Sequence, residues 1–163
     1  MIRDEELNRL IKYAQGLGTI VRFKPYVPRS AISAECTTDG TEITIYTDSK
    51  MTKTDKILLL IHEISHLKSF IANDREIDPK IDEALDNKEQ SKRHRKRILD
   101  MEIKDSSHWE TIYRDTNCQF NINKLHMQRD MDIWLYQFSY DEDRNATGEE
   151  KKQKRKELRK KYA

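Results

Sequence analysis

Leu58-Leu59-Leu60-Ile61-His62-Glu63-Ile64-Ser65-His66-Leu67 is the stretch on which the reading of the whole chain turns. It sets three ionisable side chains into one of the most apolar segments of a chain that is 37% charged and 36% hydrophobic. Thr52 and Asp55, three apart, form a capping-box pattern, and the spacing predicts a helix from there through Ile71. Ile57, Leu58, Leu59, Leu60, Ile61, Ile64 and Leu67 cover nearly its whole circumference, and a helix apolar all round is a buried one. His62 and His66 leave one face of it a turn apart, so both imidazoles can reach a single ion. Glu63, about 100° further round, can approach a metal-bound water without being a ligand. H-E-x-x-H on a helix is therefore a zinc site that carries its own general base. The competing reading is a pair of hydrogen-bonded core histidines. It leaves Glu63 unexplained, because a buried glutamate without a partner costs several kcal/mol or stays neutral.

Catalytic zinc takes three protein ligands and keeps a fourth position open. A metzincin continuation would place Gly at 69 and His at 72, where Ser69 and Ala72 stand. The third ligand is therefore sought later. A long helix is predicted over residues 88–116, with Ile98, Met101, Trp109, Ile112, Tyr113 and Thr116 on its apolar face. Glu102 and Asp105 fall on that same face, where two acids ask for a cation. Glu102 is the predicted third ligand, and Asp105 the predicted acceptor that fixes a ligating histidine. His108 is the rival ligand, or else a group that stabilises the oxyanion. Glu76, Glu83 and Glu89 lie in or near a polar connection, and His94 sits among cations in KRHRKR, so these four are weaker candidates.

Upstream, residues 4–16 predict a helix through Leu7, Leu10, Ile11 and Ala14, stopped by Gly16 and Gly18. TIVRFKPYV, AISAEC and EITIYT read as three short strands, with Pro25 marking an edge or an end and Asp39-Gly40 a hairpin turn. Downstream, residues 73–87 read as a surface connection with at most a short helix. Residues 123–140 predict a helix striped by Leu125, Met127, Met131, Trp134, Leu135 and Phe138. The 163 residues suit one domain, taken as residues 1–140, followed by a linker and a basic, flexible tail over 141–163.

The two cysteines, Cys36 and Cys118, are far apart and outside any C-x-x-C, which fits a reduced, cytoplasmic protein. The opening MIRDEEL has no apolar signal region, and no apolar run approaches a membrane span. Residues 88–97 hold six Lys/Arg against one Glu, and residues 149–163 eight against three. The rest of a chain of net charge +2 is correspondingly acidic. Such asymmetry can mark a nucleic-acid partner. Neither segment interleaves aromatics, so a solvated face and a loose tail are favoured over a base-stacking surface.

The predicted class is α+β. An N-terminal helix and a small antiparallel sheet pack on a buried H-E-x-x-H helix, followed by two further helices and a basic tail. With His62-Glu63-Ile64-Ser65-His66 and a later Glu102-Ile103-Lys104-Asp105-Ser106-Ser107-His108-Trp109, residues 1–116 resemble the zincin-like metallopeptidases. Within these they resemble the ImmA/IrrE family of bacterial, phage and mobile-element proteases, whose second motif is E-x-x-A-N-x-F-A. Here Asp105 stands for the small Ala, and the aromatic comes one place late. The resemblance implies Zn2+ as cofactor and a protein or peptide substrate, such as a repressor. It also implies that one strand offers a free edge to that substrate; EITIYT, the strand nearest in sequence to the H-E-x-x-H helix, is read as that edge, with an internal strand paired on both sides as the alternative. The alternatives are a regulatory or inhibitory binding protein on the same scaffold and a nucleic-acid-associated protein. An intact Glu63 favours the peptidase, since a structural site needs no base there.

Overall fold

The computed structural model describes residues 5–26, 33–37, 39–87 and 89–163. Asp4, Val27, Ala31, Ile32, Thr38 and Lys88, which carry parts of the readings above, lie outside them. The protein is α+β and divides into two compact units. The first comprises Met1–Glu76 and His108–Phe120, and the second Ile77–Ser107 and Asn121–Ala163. Among the described residues no helix is long and apolar enough to cross a membrane.

In the first unit α1 (Glu5–Gly16) buries Leu7, Leu10 and Ala14 against α2 (Lys53–Ala72) and also packs on the first strand. α2 starts where its sequence says it should. The Asp55 N–H donates to Thr52 Oγ1 at 3.1 Å and the Thr52 N–H to Asp55 Oδ2 at 2.9 Å, which satisfies two otherwise orphaned donors. Ile57, Leu60, Ile61, Ile64 and Leu67 are wholly buried. The helix ends as Asp74 and Arg75 turn into left-handed backbone, and the Arg75 guanidinium donates to Leu17 O at 3.1 Å.

The sheet has the order β1 (Ile20–Pro25), β3 (Glu42–Thr47), β2 (Ala34–Cys36). It is mixed rather than antiparallel. β2 pairs with β3 antiparallel, as the Asp39-Gly40 turn requires, but β1 pairs with β3 in parallel. The cause lies at the start of β1. Thr19 Oγ1 donates to Gly40 O at 2.6 Å and the Ile20 N–H to Thr41 O at 2.9 Å, so both strands set out from the same end. The expectation that EITIYT presents a free edge is thereby overturned, because this strand is the central one, with its two neighbours on either side. Its Ile43 and Ile45 are fully buried. β1, by contrast, is an outer strand that leaves Ile20 and Phe23 exposed and ends at Pro25.

The hairpin turn depends on Gly40. Asp39 accepts from both threonine hydroxyls, Thr37 and Thr41, at 2.7 Å, and from the Thr41 N–H at 3.1 Å. These bonds, those from Thr41 foremost, hold its carboxyl down to about 2. Gly40 follows at φ +71°, and a Cβ there would lie 2.9 Å from Phe70 Cε2 and 3.2 Å from Leu67 Cδ1 on α2. Gly40→Ala is expected to destabilise the protein by about 2 kcal/mol, since backbone strain and overpacking act together. Thermal melting should then shift down by about 4–8 °C, and an unchanged transition would mean that the hairpin does not press on α2.

The second unit is helical: α3 (Pro79–Asp86), α4 (Lys92–Ser106), α6 (Ile122–Glu142) and α7 (Gly148–Lys161). α5 (Trp109–Asp115) belongs to the first unit. The single long helix expected over residues 88–116 is thus two helices. Ser106 Oγ donates to Ile103 O and Ser107 Oγ to Lys104 O, both at 2.7 Å, so side-chain hydroxyls occupy carbonyls of the last turn of α4. α3 starts with Asp78 accepting from the Lys80 N–H at 2.9 Å and Pro79 in the first turn, and it packs on α4.

The expectation of a flexible tail is also corrected, since residues 148–161 form α7. Thr147 and Glu150 make a reciprocal capping box, and Arg144 grips Glu150 with two bonds at 2.8 and 3.0 Å. That grip, with the Thr147 backbone bond, holds the Glu150 carboxyl down to about 2. α7 packs on α6, buries Leu158 to 3% exposure, and ends with the Tyr162 hydroxyl donating to Asp130. A chain ending at Gly148 is expected to lose about 2–3 kcal/mol, mostly the burial of Leu158. It should melt about 5–10 °C lower. Calorimetric transitions that coincide for the two chains would return α7 to the status of a tail.

Candidate metal centre

On α2 the residues His62, His66 and Ser69 stand at i, i+4 and i+7, which places them on one helical face. The two imidazoles lie with ring centroids 4.8 Å apart, inclined at 62°. Both are half-buried, as is Glu63. Ser65 is buried and donates its hydroxyl back to His62 O at 2.5 Å, so the polar atom it adds to the helix interior is satisfied. The neighbouring aliphatics face the core and hold the helix in place. The histidine face is half-buried instead, which answers why three polar groups can sit in so apolar a segment.

Trp109, the first residue of α5, is 2% exposed and lies 5.5 Å from His62 between ring centroids, at 58°. The preceding His108 brings Nε2 within 3.1 Å of Ser69 Oγ. α5 is therefore fastened along the histidine face of α2 at two points. Trp109 reads in the sequence as one member of an apolar stripe. Its proximity to His62 arises from the tertiary packing of α5, for which the local pattern carries no signal.

Cys36 on β2, a strand that packs on α2, has a thiol pushed up to about 12. Burial is the main cause, followed by the negative charges of Glu63 and Asp39. Both effects favour the neutral thiol over the thiolate. The same effect puts Glu63 within electrostatic reach of β2.

On α4 the inward residues are His94, Ile98, Leu99, Glu102 and Asp105. Glu102 is 7% exposed and Asp105 4%. His62, His66 and Glu102 form a group that can hold one metal ion, each offering one ligand atom, with these atoms all within 4.8 Å of one another. Two imidazoles and a carboxylate suit zinc by donor type and leave room in a four-coordinate site for one further ligand. Neither Asp105 nor His108 belongs to that group. Of the weaker candidates, Glu76, Glu83 and Glu89 are exposed. Glu83 lies 3.6 Å from both the His94 Nε2 and an Arg97 nitrogen. His94 is buried, not displayed among the cations, and its Nδ1 accepts from the Ser91 N–H in a third capping box.

Two aromatic rings of the second unit, Tyr140 and Phe138, have cations of the same unit over them. Lys92 and Lys96 lie 5.0 and 5.5 Å from the Tyr140 ring centre, and Arg144 4.8 Å from that of Phe138. Comparison of the chain with protein-family models, with curated proteins and with solved structures finds no match.

Proposed function

We propose that the protein is a zinc-dependent endopeptidase of narrow specificity, acting in the cytoplasm on a regulatory protein, with the zincin-like architecture of the ImmA/IrrE proteases. The observation that carries this reading is the grouping of His62, His66 and Glu102 within one ion's reach, with Glu63 beside His62 on the same helix. A structural site would need the three ligands but no glutamate next to them.

When bound, zinc supplies a water whose pKa is lowered to about 7 and polarises the scissile carbonyl. Glu63 would be the proton carrier of the site, its carboxylate accepting a proton from the attacking water and giving it to the departing amide nitrogen, while His62, His66 and Glu102 would hold the zinc. His62, His66 and Glu102 fix the position of attack, and Asp105 is assigned to hold a ligating histidine in one tautomer. His108 is assigned to the developing oxyanion, from its place beside Ser69 on the histidine face. The substrate edge is reassigned to β2, the outer strand that packs on α2, since β3 is central. A peptide rather than a nucleic acid is favoured as partner, because Tyr140 and Phe138 are already covered by Lys and Arg side chains.

The test pairs metal analysis with Glu63→Gln. The variant is expected to retain one zinc per chain and to cleave a candidate repressor about 10²–10⁴-fold more slowly, the usual contribution of a general base. Undiminished cleavage by Glu63→Gln would remove the glutamate from the reaction. A wild-type protein that binds no zinc would remove the reading itself.

A further inference from the structure

We propose that Trp109 is a positioning residue of the candidate metal centre, a rigid indole wall that holds the His62 imidazole in the orientation from which it ligates. This rests on the reading of His62 as a metal ligand and extends it to a residue that touches neither ion nor substrate.

His62 is half-buried on α2. Two rings lie beside it, His66 with centroids 4.8 Å apart and Trp109 at 5.5 Å. The more deeply buried of the two is Trp109. It is nearly wholly buried, and its place is set twice, by the packing of α5 on α2 and by the adjacent His108 reaching Ser69 at 3.1 Å.

The chemistry of the side chain suits the role. An indole is large and rigid, and it meets the imidazole at 58°. Its only polar group is an N–H donor, so it has no lone pair with which to compete for the ion. An aliphatic residue would fill some of the space without presenting a flat face. A histidine or acid there would itself be a ligand.

Cobalt(II) is the probe, because its visible absorption reports the geometry of its ligands. The full-length wild type, Trp109→Phe and Trp109→Leu are titrated with cobalt against a chromophoric chelator. The wild type is expected to bind one cobalt with the intense bands of a four-coordinate site. Trp109→Leu should raise the dissociation constant about 10–100-fold, as loss of an outer partner of a ligating histidine does. Its bands should also change. Trp109→Phe, which keeps a flat ring, should recover most of both. A folded Trp109→Leu protein with the wild-type constant and spectrum overturns the proposal and leaves Trp109 as core alone.

If Trp109→Leu fails to fold, Trp134→Phe makes Trp109 the sole tryptophan of the chain. Its emission should then be quenched in proportion to cobalt loading, with zinc, a non-quenching ion, as control. Unquenched emission at full loading overturns the proposal. A wild type that takes up neither cobalt nor zinc overturns the metal reading and this inference together, whereas binding indifferent to Trp109 overturns this inference alone.

Discussion

His66→Ala and Glu102→Ala, purified beside the wild type, are expected to carry far less than one zinc per chain, while Glu63→Gln keeps its full complement. His66 and Glu102 are donors in the three-residue group, and removing either leaves two protein ligands where catalytic zinc takes three. The loss should also appear in stability. A ligand that binds only the folded state stabilises it by about 2.7 kcal/mol at a hundredfold excess over its dissociation constant. For a chain of this size that is about 5–10 °C of melting temperature. Wild type in zinc should therefore melt higher than wild type in chelator, and the two alanine variants should be indifferent to either.

Glu102 is a nearly buried carboxylate on α4, so its variant is compared with the wild type in chelator as well as in zinc. Full zinc in Glu102→Ala would pass the third position to His108 or another acid. Full zinc in His66→Ala would dismantle the H-E-x-x-H reading.

The sequence is most legible where one local rule decides the outcome. Thr52 and Asp55 fix the start of α2, and the Asp39-Gly40 pair fixes the hairpin. The placing of Glu102 and Asp105 on the buried face of α4 also follows from helical period alone. What the sequence hides depends on partners distant along the chain. The parallel pairing of β1 with β3 depends on Thr19 meeting Gly40, and nothing within TIVRFKPYV encodes it. The division of the long helix falls at Ser106 and Ser107, whose hydroxyls take main-chain carbonyls and which read as ordinary helix residues in the sequence. α7 is a different case. Thr147 with Glu150 is the same signature that marks α2, but the helix behind it buries only Leu158. Without an apolar stripe the cap alone reads as accident. Arg144 and Asp130, which anchor its two ends, lie outside it.

Thr44→Pro is expected to leave no cooperatively folded protein. Thr44 is the third residue of β3, 5% exposed, paired with Arg22 of β1 on one side and Glu35 of β2 on the other. On an outer strand an N–H that faces away from the sheet can be given up. Between two strands every N–H faces a neighbour, so the proline removes a ladder bond whichever way the residue points. Its ring also restricts Ile43, the residue before it, which is fully buried together with Ile45. A loss of about 4 kcal/mol or more belongs to this combination of broken ladder and disturbed core. That is a large part of the 5–15 kcal/mol that holds a typical domain together. α2 packs on both β2 and β3, so the histidine face should lose its support and the protein its zinc at the same time. Thr44→Val is the control. It keeps the β-branched shape, gives up only the 3.3 Å bond to Glu42, and should fold and bind zinc as the wild type does. The measurements are far-UV circular dichroism, thermal melting and bound zinc on both variants. If Thr44→Pro kept the wild-type spectrum and metal while losing peptide cleavage, β3 would be an edge strand that receives substrate. The three-strand order and the assignment of the substrate to β2 would then both be wrong.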